Sequence, residues 1–246
     1  MKHLIHWFFR VFGYRIVRIE DGPRASEGLD PFFGLLQRLG FAPKHIMDVG
    51  ANRGLWTRTA IRHFPEARYT LVEPQDHLKR YIKDLVDRGY QIQWINAGAG
   101  DKPGSFPFTV ATRDDSCTFA LTEEEARQAG LGQTRVAIKT LNEIAAGSGA
   151  DVPEMVKIDA EGFDLRVLAG ASDLLGKTDI FLVEAEVCGH YENSTAAVME
   201  FMSAAGYRLM DITDLNRSPR HGVLWLCELA FLHDGSRLLD SVISYE

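Results

Sequence analysis

The stretch Ile46-Met47-Asp48-Val49-Gly50-Ala51-Asn52-Arg53-Gly54 decides the fold of this chain. An apolar strand from His45 to Val49 runs into two glycines, Gly50 and Gly54. The residues beyond (Leu55, Thr59, Ile61, Phe64) recur at helical spacing. Glycine at such a turn lets the backbone approach a ligand, because no Cβ intervenes and positive φ is allowed. The free N–H groups of the following helix favour an anionic ligand group. A second apolar run, Tyr69-Thr70-Leu71-Val72, ends in Glu73, 23 residues beyond Gly50. An acidic side chain at that distance from a Gly-rich turn is where ribose hydroxyls are held. The pattern predicts a nucleoside-like cofactor.

Glycine spacing separates two cofactor classes. A dinucleotide turn needs G-x-G-x-x-G, so that two close glycines admit a pyrophosphate. Counted from Gly50, the later glycine positions hold Asn52 and Leu55, so that fingerprint is missing. An NAD-dependent oxidoreductase is therefore the lesser alternative. The spacing that is present, D-x-G-x-x-x-G with Asp48 at the strand end, resembles motif I of S-adenosylmethionine-dependent methyltransferases. That resemblance implies that the loop backbone receives the methionine part of the cofactor and that Glu73 receives the ribose.

The chain of 246 residues, 46% of them hydrophobic, is long enough to bury a full core as one domain. Acidic residues outnumber basic ones, 34 to 27, for a net charge of −7, which argues against a nucleic-acid partner. No apolar run reaches the roughly 18 residues that span a bilayer. Cys117, Cys188 and Cys227 are dispersed and form no C-x-x-C pair, so they read as buried thiols of a reducing cytoplasm. Near the N-terminus, Trp7, Phe8, Phe9 and Phe12 are interleaved with Lys2, Arg10, Arg15 and Arg18. Such a segment either makes weak contact with a membrane surface or packs on the core or on a second subunit, as in a homo-oligomer.

Asp30-Pro31 reads as a helix start, Asp as cap and Pro at the first helical position, with Gly40 as the stop. Residues 1–40 then form an N-terminal extension and helix, and 41–246 the main domain. Strands are expected near 45–49, 68–73, 91–97, 154–159 and 179–187, with helices near 53–63, 76–88, 163–175 and 193–205. This alternation predicts a Rossmann-like α/β fold, mostly parallel, with helices on both faces. Two late apolar runs, Tyr207 to Ile212 and Leu224 to His233, are separated only by a polar loop (Thr213 to Val223) and should pair as an antiparallel hairpin closing a seven-stranded sheet. Between 98 and 153 the alternation breaks. Ser105 to Val110 and Thr134 to Lys139 suit extra strands and Glu123 to Gln128 a short helix, an insert that covers the cofactor or shapes the acceptor pocket.

A second constellation is Val156-Lys157-Ile158-Asp159-Ala160-Glu161-Gly162-Phe163-Asp164. Lys157 and Asp159, two apart on a strand, point to one side. Asp159, Glu161 and Asp164 crowd three carboxylates into one loop, which needs a cation, a donor or a proton to offset repulsion. Asp164 is readily explained by the start of the next helix. Taken with Glu73-Pro74, the KIDAEGFDLRVLAGA run (Lys157 to Ala171), FLVEAEV (Phe181 to Val187) and TLNEI (Thr140 to Ile144), the chain resembles the FkbM family of methyltransferases over roughly residues 42 to 235. The resemblance implies O-methylation of a sugar, glycan or natural-product hydroxyl. It implies that Asp48, Gly50, Ala51, Asn52, Gly54, Glu73 and Pro74 line the cofactor, with Asn96 and Ala97 by the adenine. Lys157, Asp159 and Glu161 would face the methyl group and the acceptor, Asp159 thus touching the cofactor side too.

Methyl transfer is an in-line displacement, so the enzyme must align acceptor oxygen, methyl carbon and sulfur. The alcohol also loses a proton, which calls for a general base. Asp159, Glu161, Glu184, Glu186 and His190 are candidates, His190 for a pKa near neutrality. A divalent metal held by Asp159 and Glu184 is the other route. The metal-free route is preferred, because Lys157 can neutralise the acids. A catalytically silent binding module would not need such clustered acids.

Overall fold

The computed structural model describes residues 28–111, 117–119, 121–188, 192–218 and 220–240. His190 and the aromatic N-terminal segment lie outside them. A seven-stranded sheet is built from β1 (His45–Val49), β2 (Arg68–Val72), β3 (Ile92–Ile95), β7 (Met155–Ile158), β8 (Ile180–Glu186), β9 (Tyr207–Arg217) and β10 (Leu224–His233). Its order is β3-β2-β1-β7-β8-β10-β9. The first five strands run parallel, and β10 and β9 close the sheet antiparallel, β9 running on to Arg217 through the first five residues of the expected loop. Every residue of β1 is buried, the signature of a central parallel strand covered on both faces.

Alternate residues of β8 divide the core. Phe181, Val183 and Ala185 pack with α7 (Thr195–Ala204) residues Val198 and Met202. Leu182 and Ile180 pack on the opposite face with Ile46, Phe32 and Phe33. There α1 (Leu29–Arg38) and α2 (Leu55–His63) meet through Phe33, whose ring lies edge-on to Trp56 at 5.3 Å and to Phe64 at 5.6 Å. Truncating such a ring to alanine costs about 3–5 kcal/mol.

Four expectations are corrected. Helix α1 starts at Leu29 with Gly28 at its cap, not Asp30. A Cβ on Gly28 would lie 2.5 Å from the Thr213 carbonyl, and Asp30 turns outward to Arg62 at 2.7 Å. The helix expected over 76–88 splits into a 3-10 turn, Asp76–Ile82, and the short α3, Lys83–Asp87. The one expected over 163–175 ends as α6 (Asp164–Ala169), capped by Gly170, where a Cβ would stand 2.1 Å from the Gly100 carbonyl. Finally, Cys188 is exposed, unlike Cys117 and Cys227.

The region 98–153 forms a second, three-stranded sheet of β4 (Gly98–Ala99), β6 (Gly132–Lys139) and β5 (Gly104–Val110). Helices α4 (Glu123–Gln128) and α5 (Leu141–Gly147) flank β6, each started by a Thr/Glu capping box. No helix among the described residues is long and apolar enough to cross a membrane.

Candidate active site at the carboxyl ends of the strands

The β1–α2 turn is built around two left-handed glycines, Gly50 (φ +73°) and Gly54 (φ +73°), and Asn52 (φ +45°). Gly50 is required by the protein itself: a Cβ there would fall 1.8 Å from the Asp159 carbonyl oxygen. The close approach foreseen for a ligand is thus made by the β7 loop. The turn's own N–H groups are also satisfied internally. Gly50 and Ala51 donate to the Val72 carbonyl at 2.9 and 3.2 Å, and Gly54 donates to Ala51 at 2.8 Å. What stays available to an anion is the first turn of α2, which no side chain caps.

Glu73, 3% exposed, ties this turn to the end of β2. Its Oε2 accepts from the Asn52 N–H at 2.9 Å and its Oε1 from the Gln75 N–H at 2.8 Å. Burial pushes its pKa up against these hydrogen bonds. The Gln75 side chain hydrogen-bonds to the same carboxylate. Asn96 holds the same corner, its Nδ2 donating to the Pro74 carbonyl at 3.0 Å and the Glu73 carbonyl at 3.3 Å, while Ala97 is buried beside it.

Below the turn lies a buried ion cluster. Asp48, fully buried, accepts from the Thr57 hydroxyl at 2.5 Å. Lys157 sits opposite it in the β1–β7 register, 4% exposed, with Nζ 3.0 Å from the Gly50 carbonyl and 3.3 Å from that of Val49. Nζ is also 3.1 Å from Asp159 Oδ2 and 3.5 Å from Asp48 Oδ1. Burial works against the charge on Lys157, but Asp159, Asp48 and Glu228 outweigh it and hold the ammonium protonated. Lys157 thus lies beneath the turn as a fixed cation.

Asp159 crowns this cluster with its side chain 34% exposed. It opens on a small cleft lined by Asp159, Glu184, Asp214, Asn216, Leu226, Cys227 and Glu228. Strand register explains the lining. Ile158 lies opposite Val183, which brings Asp159 level with Glu184. Glu184 lies opposite Glu228, and Glu228 opposite Asp214. Four carboxylates form one row across four strands, a costly arrangement when all are charged. Burial and the neighbouring Asp159, Asp164 and Glu161 push Glu184 well up. Burial raises Glu228 to about 7 despite its 2.5 Å hydrogen bond from Thr213. Burial raises Asp214 as well.

The β7 loop has its own scaffold. Asp164 is fully buried and accepts from the N–H groups of Ala160 (2.8 Å) and Gly162 (3.3 Å) and from Asn193 Nδ2 (2.8 Å). Glu161 is held left-handed (φ +50°), its carbonyl accepting from the Thr118 hydroxyl at 2.6 Å. The insert therefore reaches the acidic loop directly. Glu186, another candidate base, is 2% exposed and its N–H donates to the Asn193 carbonyl, away from the cleft lining. Among the described residues, no three of His, Cys, Asp or Glu are arranged to hold a metal ion. Asp214 and Glu228 escaped the sequence reading. The only signal was Glu228, a lone charge in the apolar run Leu224 to Leu232.

The profile of the methyltransferase FkbM domain matches residues 48–209, from Asp48 at the end of β1 to the start of β9. The chain belongs to the FkbM methyltransferase family. It is an S-adenosylmethionine-dependent methyltransferase, and the oxidoreductase alternative falls. No curated protein matches the sequence significantly. Among solved structures it is similar to a provisionally named O-methyltransferase from Klebsiella pneumoniae at 10% identity and TM-score 0.50, with 95% of this chain and 89% of that one covered. It is also similar to magnesium protoporphyrin IX methyltransferase from Synechocystis, at 10% identity and TM-score 0.49, with 94% and 96% covered. At such identities the likeness speaks to fold alone.

Proposed function

We propose that this FkbM-family enzyme methylates a hydroxyl group of a small molecule or glycan, with Asp159 as general base. The observation that carries this reading is Asp159 itself, a partly exposed carboxylate at the lip of the cleft and one ion pair from Lys157. Bound on the Gly50–Gly54 turn, S-adenosylmethionine supplies a sulfonium methyl group. Glu73 holds the ribose hydroxyls, and the turn Gly50, Ala51, Asn52 and Gly54 carries the methionine part. Pro74, Asn96 and Ala97 shape the adenine side. Asp159 takes the acceptor's proton as the new C–O bond forms and the C–S bond breaks, leaving S-adenosylhomocysteine. Lys157, already protonated, accepts no proton and serves as counter-ion. Glu161 faces the acceptor from its strained turn, a backbone state that clusters at functional sites.

The four-carboxylate row favours a second reading, a cationic amine acceptor, because an ammonium would relieve the repulsion in the cleft. Incubation with methyl-labelled S-adenosylmethionine and parallel panels of neutral glycosides, polyketide alcohols and amines separates the two. Label on a hydroxyl oxygen is expected, and label confined to amine nitrogens would replace the first reading with the second. The proposed route uses no metal, since Lys157 already neutralises Asp159. Turnover that vanishes in a chelator and returns with magnesium would assign Asp159 and Glu184 to a cation instead.

A further inference from the structure

Lys157 is costly where it stands. A buried ammonium must recover its lost hydration from well-placed partners, yet no bulk packing role requires a charge at that position of β7. Its partners belong to two loops. Two are main-chain carbonyls at the end of β1, those of Val49 (3.3 Å) and Gly50 (3.0 Å), which begin the donor turn. The others are the Asp159 carboxylate (3.1 Å), at the start of the acidic loop, and the buried Asp48 carboxylate of β1 (3.5 Å). The same two loops touch again through the main chain: the Asp159 N–H donates to the Val49 carbonyl at 3.1 Å, and Gly50 packs on the Asp159 carbonyl. Without the ammonium, the Asp159 and Asp48 carboxylates and two carbonyl oxygens would converge on one point with no cation between them.

We infer that Lys157 is a positioning residue that locks the donor turn to the acidic loop, so that one buried cation sets both the cofactor seat and the direction of Asp159. The inference rests on the Gly50–Gly54 turn being the donor site. Its consequence is specific. Removing Lys157 distorts the donor turn by repulsion from Asp159, so removing the Asp159 charge as well should restore part of what was lost. A residue that merely filled space would show no such recovery.

The test is S-adenosylhomocysteine binding by calorimetry to the full chain and to K157M, D159N and K157M/D159N, with folding checked by circular dichroism. K157M should bind at least about ten-fold more weakly than the native chain. K157M/D159N should regain about three-fold or more over K157M, yet stay about three-fold weaker than D159N. Native-like binding by a folded K157M, or a double variant no better than K157M, overturns the inference. If K157M does not fold, K157M/D159N is compared with D159N alone, and equal affinities overturn it. Failure of the native chain itself to bind S-adenosylhomocysteine would sink the donor site and this inference together. An unaffected K157M beside a binding native chain sinks the inference only.

Discussion

The two halves of the site are made differently. The proposed donor half, at the ends of β1 and β2, comes from contiguous motifs: the nine-residue strand-and-turn stretch Ile46–Gly54 and one glutamate, joined by the Asn52–Glu73 hydrogen bond at 2.9 Å. Its groups are paired and its main chain is committed. The proposed acceptor half, at the ends of β7, β8, β10 and β9, collects one carboxylate from each strand around an open cleft. Its charges are mutually repulsive, and the pKa values of Glu184, Glu228 and Asp214 all move up.

The largest effect should come where the halves touch. Gly50→Ala places a methyl group 1.8 Å from the Asp159 carbonyl at φ +73°, so a loss of about 4 kcal/mol or more, or no folding at all, is expected in urea unfolding. A variant of native stability would mean that the two loops are not in contact. Next, Asp159→Asn should lower kcat by about a hundred-fold or more, while S-adenosylhomocysteine affinity falls far less. Near-native turnover with the labelled acceptor would remove Asp159 from the chemistry. On the donor side alone, Glu73→Ala should weaken S-adenosylhomocysteine binding by about 1.5–3 kcal/mol in calorimetry. An unchanged affinity would leave Glu73 as a brace between Asn52 and Gln75 only.

The smallest effect concerns the acceptor row. Glu228 has its folded pKa raised from 4.5 to about 7, so between these values the native state binds more protons than the unfolded one. Stability attributable to this group is therefore full below pH 4.5 and is lost as pH rises through about 7. Glu228→Gln should flatten that decline and stabilise the protein at pH 8 by on the order of 1–2 kcal/mol. Thermal unfolding with the same pH slope in both proteins would show that Glu228 is not held protonated.

Much of the fold was legible. Alternating apolar runs with crossover-length spacers announce a parallel sheet, and two late runs without a helix between them announce the hairpin, because local period and connection length are properties of the chain itself. Helix ends were less legible: Gly28 and Gly170 are placed by contacts with Thr213 and Gly100, far away in sequence. The Gly50–Gly54 turn and its meeting with Glu73 could be read because their residues lie within one βαβ unit. Lys157 and Asp159 could be read as neighbours, but not the Val49 and Gly50 carbonyls that they meet.

The sequence by itself determined the family, the α/β sheet and the Gly50–Gly54 turn, all of which rest on short-range spacing. Only the tertiary structure decided which residues share the acceptor cleft. Strand order puts β10 between β8 and β9, and antiparallel register sets Glu228 between Glu184 and Asp214. Shifting that register by one residue would turn Glu228 to the opposite face, so the acidic row is a product of pairing between distant segments.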